Sequence, residues 1–302
     1  MPAGEFAFIR WLRDRTPTDP RVRIGPGDDC AALAPPTSEL LVTTDLLTED
    51  VDFILADAGA RAVGRKAMAV NLSDIAAMAG RPLGAVVAVA LPSGVADSRQ
   101  LAEELFLGMR EVADRFHTPI VGGDTNAWPG KLVICVTVLG EATGRGPVRR
   151  NGARPGDWLF VTGPVGGSLL GRHLDPTPRI PEALKLHELV DLHAMIDISD
   201  GLSADVNHIL EESGCGAVLD AAAIPIHPDA VERAKRTGRS PLDHALGDGE
   251  DFELAFAVSP SDGEKLLRET SLAKVGECVE RGLWLEEGGV RRALEPRGWV
   301  HG

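Results

Sequence analysis

The stretch from Val121 to Asn126 reads VGGDTN and combines residue types that suit a phosphate group and a metal ion. Glycine allows backbone N–H groups to approach a bulky anion closely. A carboxylate beside that anion, here Asp124, is favourable when a hard cation such as Mg²⁺ bridges the two. A plain turn in which Asp124 makes local hydrogen bonds accounts for the same letters. The choice between these interpretations depends on the rest of the chain.

Further aspartates occur where apolar runs end or where a helix face is apolar, and a carboxylate there is costly unless it is paired or liganded. These positions are Asp28, Asp29, Asp45, Asp74, Asp124, Asp197 and Asp200. Asp200 has an alternative role as a helix N-cap. No histidine cluster or paired cysteine accompanies the set, and oxygen-only ligands favour Mg²⁺, Mn²⁺ or Ca²⁺ over zinc. Several hard cations with glycine turns suit a triphosphate, so the pattern is compatible with phosphoryl transfer.

The elements that would position these carboxylates alternate between strands and helices over the first 142 residues. Apolar spacing predicts a helix over Arg61 to Met78, which carries Asp74, and a second helix over Ser98 to Phe116. The predicted strands are Glu39 to Thr44, Leu83 to Leu91, Pro119 to Val121 and Leu132 to Leu139.

A segment rich in Gly, Arg and Pro, Thr143 to Pro155, marks the predicted domain boundary. We therefore expect an N-terminal domain over residues 1–142 and a C-terminal domain over residues 143–302. Arg149 and Arg150 form a basic spot in this segment, and arginine suits contact with phosphate, although a solvated linker is the alternative. In the second domain a short strand ends at Asp197, and a helix begins near Asp200.

The composition argues against nucleic-acid-binding and membrane-spanning proteins. The 302 residues have a formal net charge of −14, which argues against binding nucleic acid, because affinity for its phosphates comes from Lys and Arg. The longest apolar run, Leu83 to Leu91, is too short to span a bilayer, so we expect no membrane segment. The four cysteines form no C-x-x-C pair and indicate reduced thiols in a cytoplasmic protein.

A glycine-rich segment, Gly163 to Ser168, follows a predicted strand but lacks the G-x-G-x-x-G spacing of dinucleotide-binding loops. The chain also contains no G-x-x-x-x-G-K-[ST] motif, which excludes a P-loop NTPase. We predict that Gly166 to Leu174 is a helix start with close packing.

Taken together, the motifs resemble those of the thiamine-monophosphate kinases, a family of the aminoimidazole-ribonucleotide synthetase superfamily. The matching stretches are GEF at Gly4, GDDC at Gly27, TTD at Thr43, KAMAVNLSDIAAM at Lys66, GGDT at Gly122, GARPGD at Gly152, IDISDGLSAD at Ile196 and GEDFEL at Gly249. The resemblance implies an α/β N-terminal domain that dimerises through its sheet and an α+β C-terminal domain. It also implies ATP- and Mg²⁺-dependent phosphorylation of thiamine monophosphate to thiamine diphosphate in a homodimer.

The resemblance assigns roles to individual positions. The implied metal ligands are Asp29, Thr43, Thr44, Asp45, Asp74, Asp124, Asp197 and Asp200. Asp124 and Asp200 are the implied catalytic residues, and the implied ATP contacts are Gly123, Asp124, Arg150 and Ser199. The acceptor positions are Asp52, Glu250 and Trp299, and an indole suits the cationic rings of thiamine.

Three departures concern the acceptor rather than ATP. Asp52 stands where the family usually has a substrate-contacting histidine, Asn126 and the residues after it differ from the usual Thr-Arg-Gly, and Gly167 replaces a common Asp. Two alternatives therefore stay open. One is a sister enzyme that uses ATP on another small acceptor, and the other is a nucleotide-binding protein without catalysis.

Overall fold

The computed structural model describes residues 11–12, 14–16, 19–24, 32–34 and 38–299. The predicted metal ligand Asp29, its neighbour Asp28 and most of the segment from Gly4 to Leu12 lie outside these residues. The chain divides into two compact units, one of Met1–Ile75 with Gly80–Gly146 and one of Ala76–Ala79 with Pro147–Gly302. We call them the N-terminal and C-terminal units.

The N-terminal unit contains a four-stranded sheet and two long helices. Its described elements are β1 (Val22–Ile24), β2 (Ala32–Leu33), β3 (Leu40–Thr48), α1 (Leu55–Ala58), α2 (Ala60–Ala77), β4 (Arg81–Pro92), α3 (Ser98–Arg115), β5 (Ile120–Trp128) and β6 (Val133–Glu141). The sheet order is β3-β6-β4-β5, with β4 and β5 parallel and the other pairs antiparallel. Helix α2 is buried along most of its length, which explains why its sequence is apolar on nearly every side.

The C-terminal unit is built on a seven-stranded sheet. Its elements are β7 (Trp158–Val161), two short 3₁₀ turns (Ser168–Leu170 and Arg172–Leu174), α4 (Ile180–Leu189), β8 (Leu192–Asp197), α5 (Leu202–Ser213), β9 (Gly216–Asp220), α6 (Pro228–Thr237), α7 (Pro241–Gly247), β10 (Leu254–Val258), α8 (Pro260–Glu269), β11 (Ala273–Val279), β12 (Leu283–Glu287) and β13 (Val290–Ala293). The strand order is β13-β12-β9-β11-β7-β10-β8. Only β12 and β9 run parallel among the described pairs.

The apolar core of this unit lies between the sheet and helix α5. Val206 and Ile209 of α5 pack into one buried cluster with Ile196 of β8 and Ala255 and Ala257 of β10. The core therefore fixes the end of β8 and the start of α5, which carry the aspartates of the IDISDGLSAD motif.

The predicted fold class, an α/β domain followed by an α+β domain, is confirmed by the two mixed units. Two strand boundaries were predicted wrongly. Strand β3 continues to Thr48, so Asp45 lies within the strand rather than at its end, and β5 continues to Trp128, so VGGDTN is a strand rather than a loop. Polar residues obscured both strands in the sequence. Most positions of the edge strand β5 are exposed, and the polar Thr43 and Asp45 of β3 lie on its face turned to α2.

No helix among the described residues combines the length and the apolar character needed to cross a bilayer.

Candidate active site

The N-terminal unit holds a group of polar side chains between β3 and α2, which we call the N-terminal acidic cluster: Thr43, Asp45, Asn71 and Asp74. Side chains alternate along β3, so Thr43 and Asp45 share the face that is turned to α2. Thr43 Oγ1 donates to Asp74 Oδ2. The backbone N–H of Asp45 donates to Oδ1 of the fully buried Asn71 at 3.1 Å. The strand and the helix are therefore tied together through the carboxylate-bearing residues themselves.

The carboxylate of Asp45 is short of positive charge. Burial, followed by the nearby charges of Asp74 and Asp52, raises the pKa of Asp45 to about 7. Among the described residues no Lys or Arg forms an ion pair with Asp45. A half-buried set of carboxylate and hydroxyl oxygens fits a hard divalent cation such as Mg²⁺.

The side chain of Thr44 lies outside the N-terminal acidic cluster. It lies on the opposite face of β3, where its Oγ1 donates to the carbonyl of Val136 at 3.1 Å and pairs with Thr137 Oγ1 at 2.9 Å. The pattern TTD suggested three adjacent ligands, but the alternation of a strand separates the middle one. Its predicted role as a metal ligand stays a prediction.

Gly123 and Asp124 lie on the edge strand β5. The register places Asp45, Val136, Val87 and Gly123 in one row across the sheet, so Gly123 is three strands, about 14 Å along the sheet, from Asp45. Asp124 falls on the opposite face and is exposed, with Oδ1 accepting from the N–H of Thr125 at 2.9 Å. Within this unit, Asp124 is therefore separate from the acidic cluster.

Strand packing alone explains why residue 123 is glycine. A Cβ at this position would lie 1.9 Å from the carbonyl oxygen of Val87 in β4. The close approach of two strands therefore already requires glycine here, whether or not a phosphate binds.

Asp52 lies in the turn after β3, and its carboxylate is engaged locally. Its Oδ2 accepts from the N–H of Thr48 at 2.6 Å and from Thr48 Oγ1 at 3.2 Å. Its carbonyl accepts from Nζ of Lys66, at 2.6 Å, and the Lys66 side chain is 1% exposed. These bonds shape the turn, and the predicted contact of Asp52 with substrate stays a prediction.

A second group of carboxylates lies where β8 ends and α5 begins, and we call Asp197, Asp200 and Asp205 the C-terminal acidic cluster. Asp197 is 3% exposed. Oδ2 of Asp205 accepts from the N–H groups of Asp200 and Gly201 at 3.0 and 2.9 Å. The N-cap of α5 is Gly201, so capping does not explain Asp200.

The carboxylate of Asp205 in this cluster lies among other negative charges. Burial, together with the charges of Asp197 and Asp200, raises the pKa of Asp205 to about 8, against the two backbone N–H groups that lower it. Ligand atoms of Asp200, Asp205 and His208 lie within 4.8 Å of one another. This donor set also fits a divalent cation, with mainly oxygen ligands.

Asp205 was absent from the ligands inferred from sequence. The signal was present, because an acidic residue in the first turn of a helix can reach back to the N–H groups before it. It looked like an ordinary helix-start residue, and only the structure shows that it shares space with Asp200.

The loop before β10 is locked against the C-terminal acidic cluster. The N–H of Glu250 donates to the carbonyl of Ser199 at 2.7 Å, and the N–H of Phe252 donates to the carbonyl of Ile198 at 2.8 Å. Glu250 and Phe252 both have φ of +52°, a left-handed conformation that costs free energy outside glycine. Backbone strain of this kind is common at functional sites. The hydrogen bond between their backbones places Glu250 beside Ser199.

In the glycine-rich segment Gly163 to Ser168, backbone N–H groups donate to carboxylates of the same unit. The N–H of Gly166 donates to both oxygens of Asp251 at 2.9 and 2.8 Å, and the N–H of Gly167 donates to Asp248 at 3.1 Å. Burial raises the pKa of Asp251 to about 6, although Gly166 and Arg172 lower it. These N–H groups are therefore occupied and leave no cradle for a phosphate at this segment.

Arg150 is exposed at the start of the C-terminal unit. Its carbonyl accepts from Ser213 Oγ at 3.3 Å, and the carbonyl of the preceding Arg149 accepts from the N–H of Met195 at 3.0 Å. The backbone is thus fixed along β8 while the guanidinium reaches solvent, an arrangement suited to binding an anion.

Trp299 lies at the end of a segment, residues 295–299, that we call the C-terminal strap. Its side chain is 53% exposed, and its N–H donates to the carbonyl of Asp200 at 3.1 Å. An exposed indole fixed at a carboxylate-bearing loop can stack on a flat cationic ring.

Family models match both parts of the chain. Residues 27–142 match the AIR synthase related protein N-terminal domain, and residues 154–283 match the corresponding C-terminal domain. The thiamine-monophosphate kinase of Rhodopirellula baltica is 41% identical over 312 residues, which cover 99% of this chain and 97% of that protein.

Two solved structures are also similar. The thiamine-monophosphate kinase of Stenotrophomonas maltophilia K279a has a TM-score of 0.80 and 32% identity, covering 93% of this chain and 96% of its own. AaThiL complexed with AMPPCP and TMP has a TM-score of 0.77 and 30% identity, covering 87% of each chain. With both domains matched and a relative at this identity over nearly its whole length, the chain belongs to the AIR synthase related family and, within it, to the thiamine-monophosphate kinases.

Proposed function

We propose that this protein transfers the γ-phosphoryl group of ATP to thiamine monophosphate, which yields thiamine diphosphate and ADP. The observation that carries this proposal is the 41% identity, over almost the whole chain, to a thiamine-monophosphate kinase. The similar structure that is complexed with AMPPCP and TMP supports both substrates.

The chemistry agrees with the side chains available. The acceptor is a phosphate monoester with a second pKa of about 6, so it is already a dianion near neutral pH. It therefore needs no general base. The task of the protein is to hold two highly charged phosphates in line and to offset their repulsion.

Mg²⁺ is the proposed cofactor, and the two acidic clusters are its proposed ligands. The residues are Thr43, Asp45 and Asp74 in the N-terminal unit and Asp197, Asp200 and Asp205 in the C-terminal unit, with Asp29, Thr44 and Asp124 retained from the sequence. When bound, Mg²⁺ supplies positive charge to the transferring phosphoryl group. The raised pKa values of Asp45 and Asp205 support this assignment, because they show carboxylates that lack a compensating charge.

For the nucleotide we propose contacts from Gly123, Asp124, Arg150 and Ser199, with Asp124 and Asp200 as the catalytic residues. For the acceptor we propose Glu250 and Trp299. The carboxylate of Glu250 suits the cationic thiamine, and the exposed indole of Trp299 offers it a stacking surface. Asp52, in the N-terminal unit, is a further proposed contact of the acceptor.

A second copy of the chain is the proposed partner. Four apolar side chains share the face of the N-terminal sheet that points away from α2, and all are exposed: Leu40 51%, Val42 61%, Leu46 61% and Val86 38%. An exposed apolar sheet face of this kind is typical of a protein–protein interface. Association of two copies through it would form a homodimer.

We also propose a cytoplasmic location and no binding to nucleic acid. Among the described residues Cys135, Cys215 and Cys278 are free thiols, as expected in a reducing compartment. The net charge of −14 disfavours a polyanionic partner.

The direct test is a chromatographic assay of purified protein with ATP, Mg²⁺ and thiamine monophosphate. We expect thiamine diphosphate and ADP in equal amounts, and neither product when excess EDTA is present. ATP binding without formation of thiamine diphosphate would contradict the proposed acceptor and favour the sister enzyme with another small acceptor. A screen of other phosphate esters would then identify it.

A further inference from the structure

The C-terminal strap is held to the rest of its unit by one buried hydroxyl. Ser203 lies in the first turn of α5 and is 0% exposed. Its Oγ accepts from the N–H of Arg297 at 3.0 Å and lies 3.0 Å from the carbonyl of Arg297. The same oxygen lies 2.9 Å from the carbonyl of Leu246 in α7. One side chain therefore joins α5, α7 and the strap.

A second contact fixes the next residue of the strap. A Cβ at Gly298 would lie 2.6 Å from the carbonyl oxygen of Asp200 and 2.8 Å from Cβ of Ala204. Because the first of these atoms is backbone, the strap would have to move to make room for any side chain. Glycine at position 298 thus allows the strap to lie directly against the loop that carries Asp200.

These two contacts come just before the only strap residue that presents an aromatic surface. Trp299 follows Gly298, and its N–H donates to the carbonyl of Asp200. The indole itself is half exposed, so its own packing fixes it less than the backbone does. Nη1 of Arg297 forms an ion pair with Oδ1 of Asp243 at 3.0 Å. This pair is exposed, so it adds little to the stability of the strap.

We propose that Ser203 and Gly298 are positioning residues that set the place of Trp299 over the acceptor, and so determine the affinity for thiamine monophosphate rather than for ATP. This inference rests on the proposed function. It assigns Ser203 and Gly298 a role that acts through Trp299, and it predicts separate effects on the acceptor and on ATP.

The first test measures KM for each substrate in Ser203→Ala and Gly298→Ala. We expect both variants to raise KM for thiamine monophosphate by about tenfold, while KM for ATP changes by less than about twofold. Trp299→Ala should have a similar effect, and Ser203→Ala should add nothing to it in the double variant, because the indole through which it acts is gone. The matched control is Ser259→Ala, which removes the N-cap bond to the N–H of Asp262 in α8, remote in sequence from the strap, and should change neither KM.

A second measurement follows the strap itself. Hydrogen exchange of the C-terminal peptide, read by mass spectrometry without substrates, should be about tenfold faster in Ser203→Ala than in the wild type or Ser259→Ala. If exchange accelerates but the acceptor KM of an active enzyme is unchanged, or if both KM values rise together, the inference is wrong. If the wild type forms no thiamine diphosphate, the proposed function is wrong and the positioning role falls with it, whereas the exchange data still show whether Ser203 anchors the strap.

Discussion

The N–H of Trp299 donates a hydrogen bond of 3.1 Å to the carbonyl of Asp200. One of these residues is the proposed stacking surface for thiamine, and the other is a proposed ligand of Mg²⁺. A single backbone bond thus places the acceptor contact beside the metal-binding loop.

The indole of Trp299 is expected to contribute through its ring rather than through its size. Trp299→Ala should raise KM for thiamine monophosphate by about tenfold, and Trp299→Phe by no more than about threefold, because a phenyl ring keeps part of the interaction with a cationic ring. Steady-state kinetics with thiamine monophosphate varied at saturating ATP checks this. Trp284→Ala, which removes a partly exposed indole from β12, serves as the control and should leave KM unaltered. Equal kinetics for Trp299→Ala and the wild type would exclude the stacking role.

Asp124→Asn should preserve the fold and abolish Mg²⁺-dependent binding of ATP. Asp124 is exposed, and its bond to Thr125 can be accepted equally by an amide, so the free energy of unfolding should change by less than about 0.5 kcal/mol. The loss of one negative charge removes a ligand that a hard cation prefers. Isothermal titration calorimetry with and without Mg²⁺ measures the change. Unchanged ATP affinity in this variant would remove Asp124 from the site.

Arg150→Ala should weaken the binding of ATP with little loss of thermal stability. The side chain is exposed and the backbone is held by Ser213 and β8, so truncation removes a phosphate contact without loosening the segment. We expect KM for ATP to rise by about tenfold, as for loss of one charged hydrogen bond. The neighbouring Arg149→Ala is the control, and an equal rise in both variants would indicate general basic charge rather than a specific contact.

Asp205→Asn should stabilise the metal-free protein at alkaline pH. The folded-state pKa is about 8, above the ordinary value of 3.8, so the folded protein holds the proton more tightly than the unfolded chain does between these values. The contribution of Asp205 to stability is therefore fully present below pH 3.8 and is lost as the pH rises through 8. Asparagine keeps an acceptor for the N–H groups of Asp200 and Gly201 without the charge.

Thermal melts in EDTA test this expectation. The Tm of Asp205→Asn should exceed that of the wild type by a few degrees at pH 8–9, and the difference should shrink toward pH 5. A lower Tm for the variant across the whole pH range would contradict this expectation, because it would show that another group stabilises the ionised carboxylate of Asp205.

Val42→Glu should convert a dimer into a monomer. Val42 is 61% exposed on the apolar sheet face, so a carboxylate there costs little in one chain but would be buried against the partner. Sedimentation velocity of the variant and the wild type gives the mass directly. Val290→Glu replaces a valine of similar exposure in the C-terminal unit and should not alter the mass. A monomeric wild type would rule out the proposed homodimer.

The helices of the fold were largely predictable from sequence. Apolar spacing located α2 and α3 to within one residue; α3 has a buried stripe with a period of 3.6, whereas α2 is apolar on nearly every side. Helix α6, Pro228–Thr237, has strong terminal signals in the sequence, with Pro at its start and Gly238 after it. Helices α4 and α7, like the hairpin of β12 and β13, went unpredicted; they are short and carry weaker patterns.

The site was only partly predictable, because a sequence gives residue types but not faces. Asp45 and Asp74 were identified as carboxylates at unusual positions, and the structure places both at the contact of β3 and α2. The sequence could not show that Thr44 points away from them or that Asp205 joins Asp200. Both facts depend on where a strand or helix begins, and a boundary shifted by a few residues changes which side chains meet.

Strand β3 assigns opposite tasks to its odd and even positions: Thr43 and Asp45 face α2, whereas Val42 and Leu46 form the exposed apolar face. Loss of a single codon within this strand would exchange the two sets, placing valine or leucine among the carboxylates and a carboxylate on the outer surface. Metal binding and association would then fail in one event. Strand β3 should accordingly tolerate conservative substitutions but no insertion or deletion. The segment around Gly146, where one unit ends and the next begins, should tolerate changes in length.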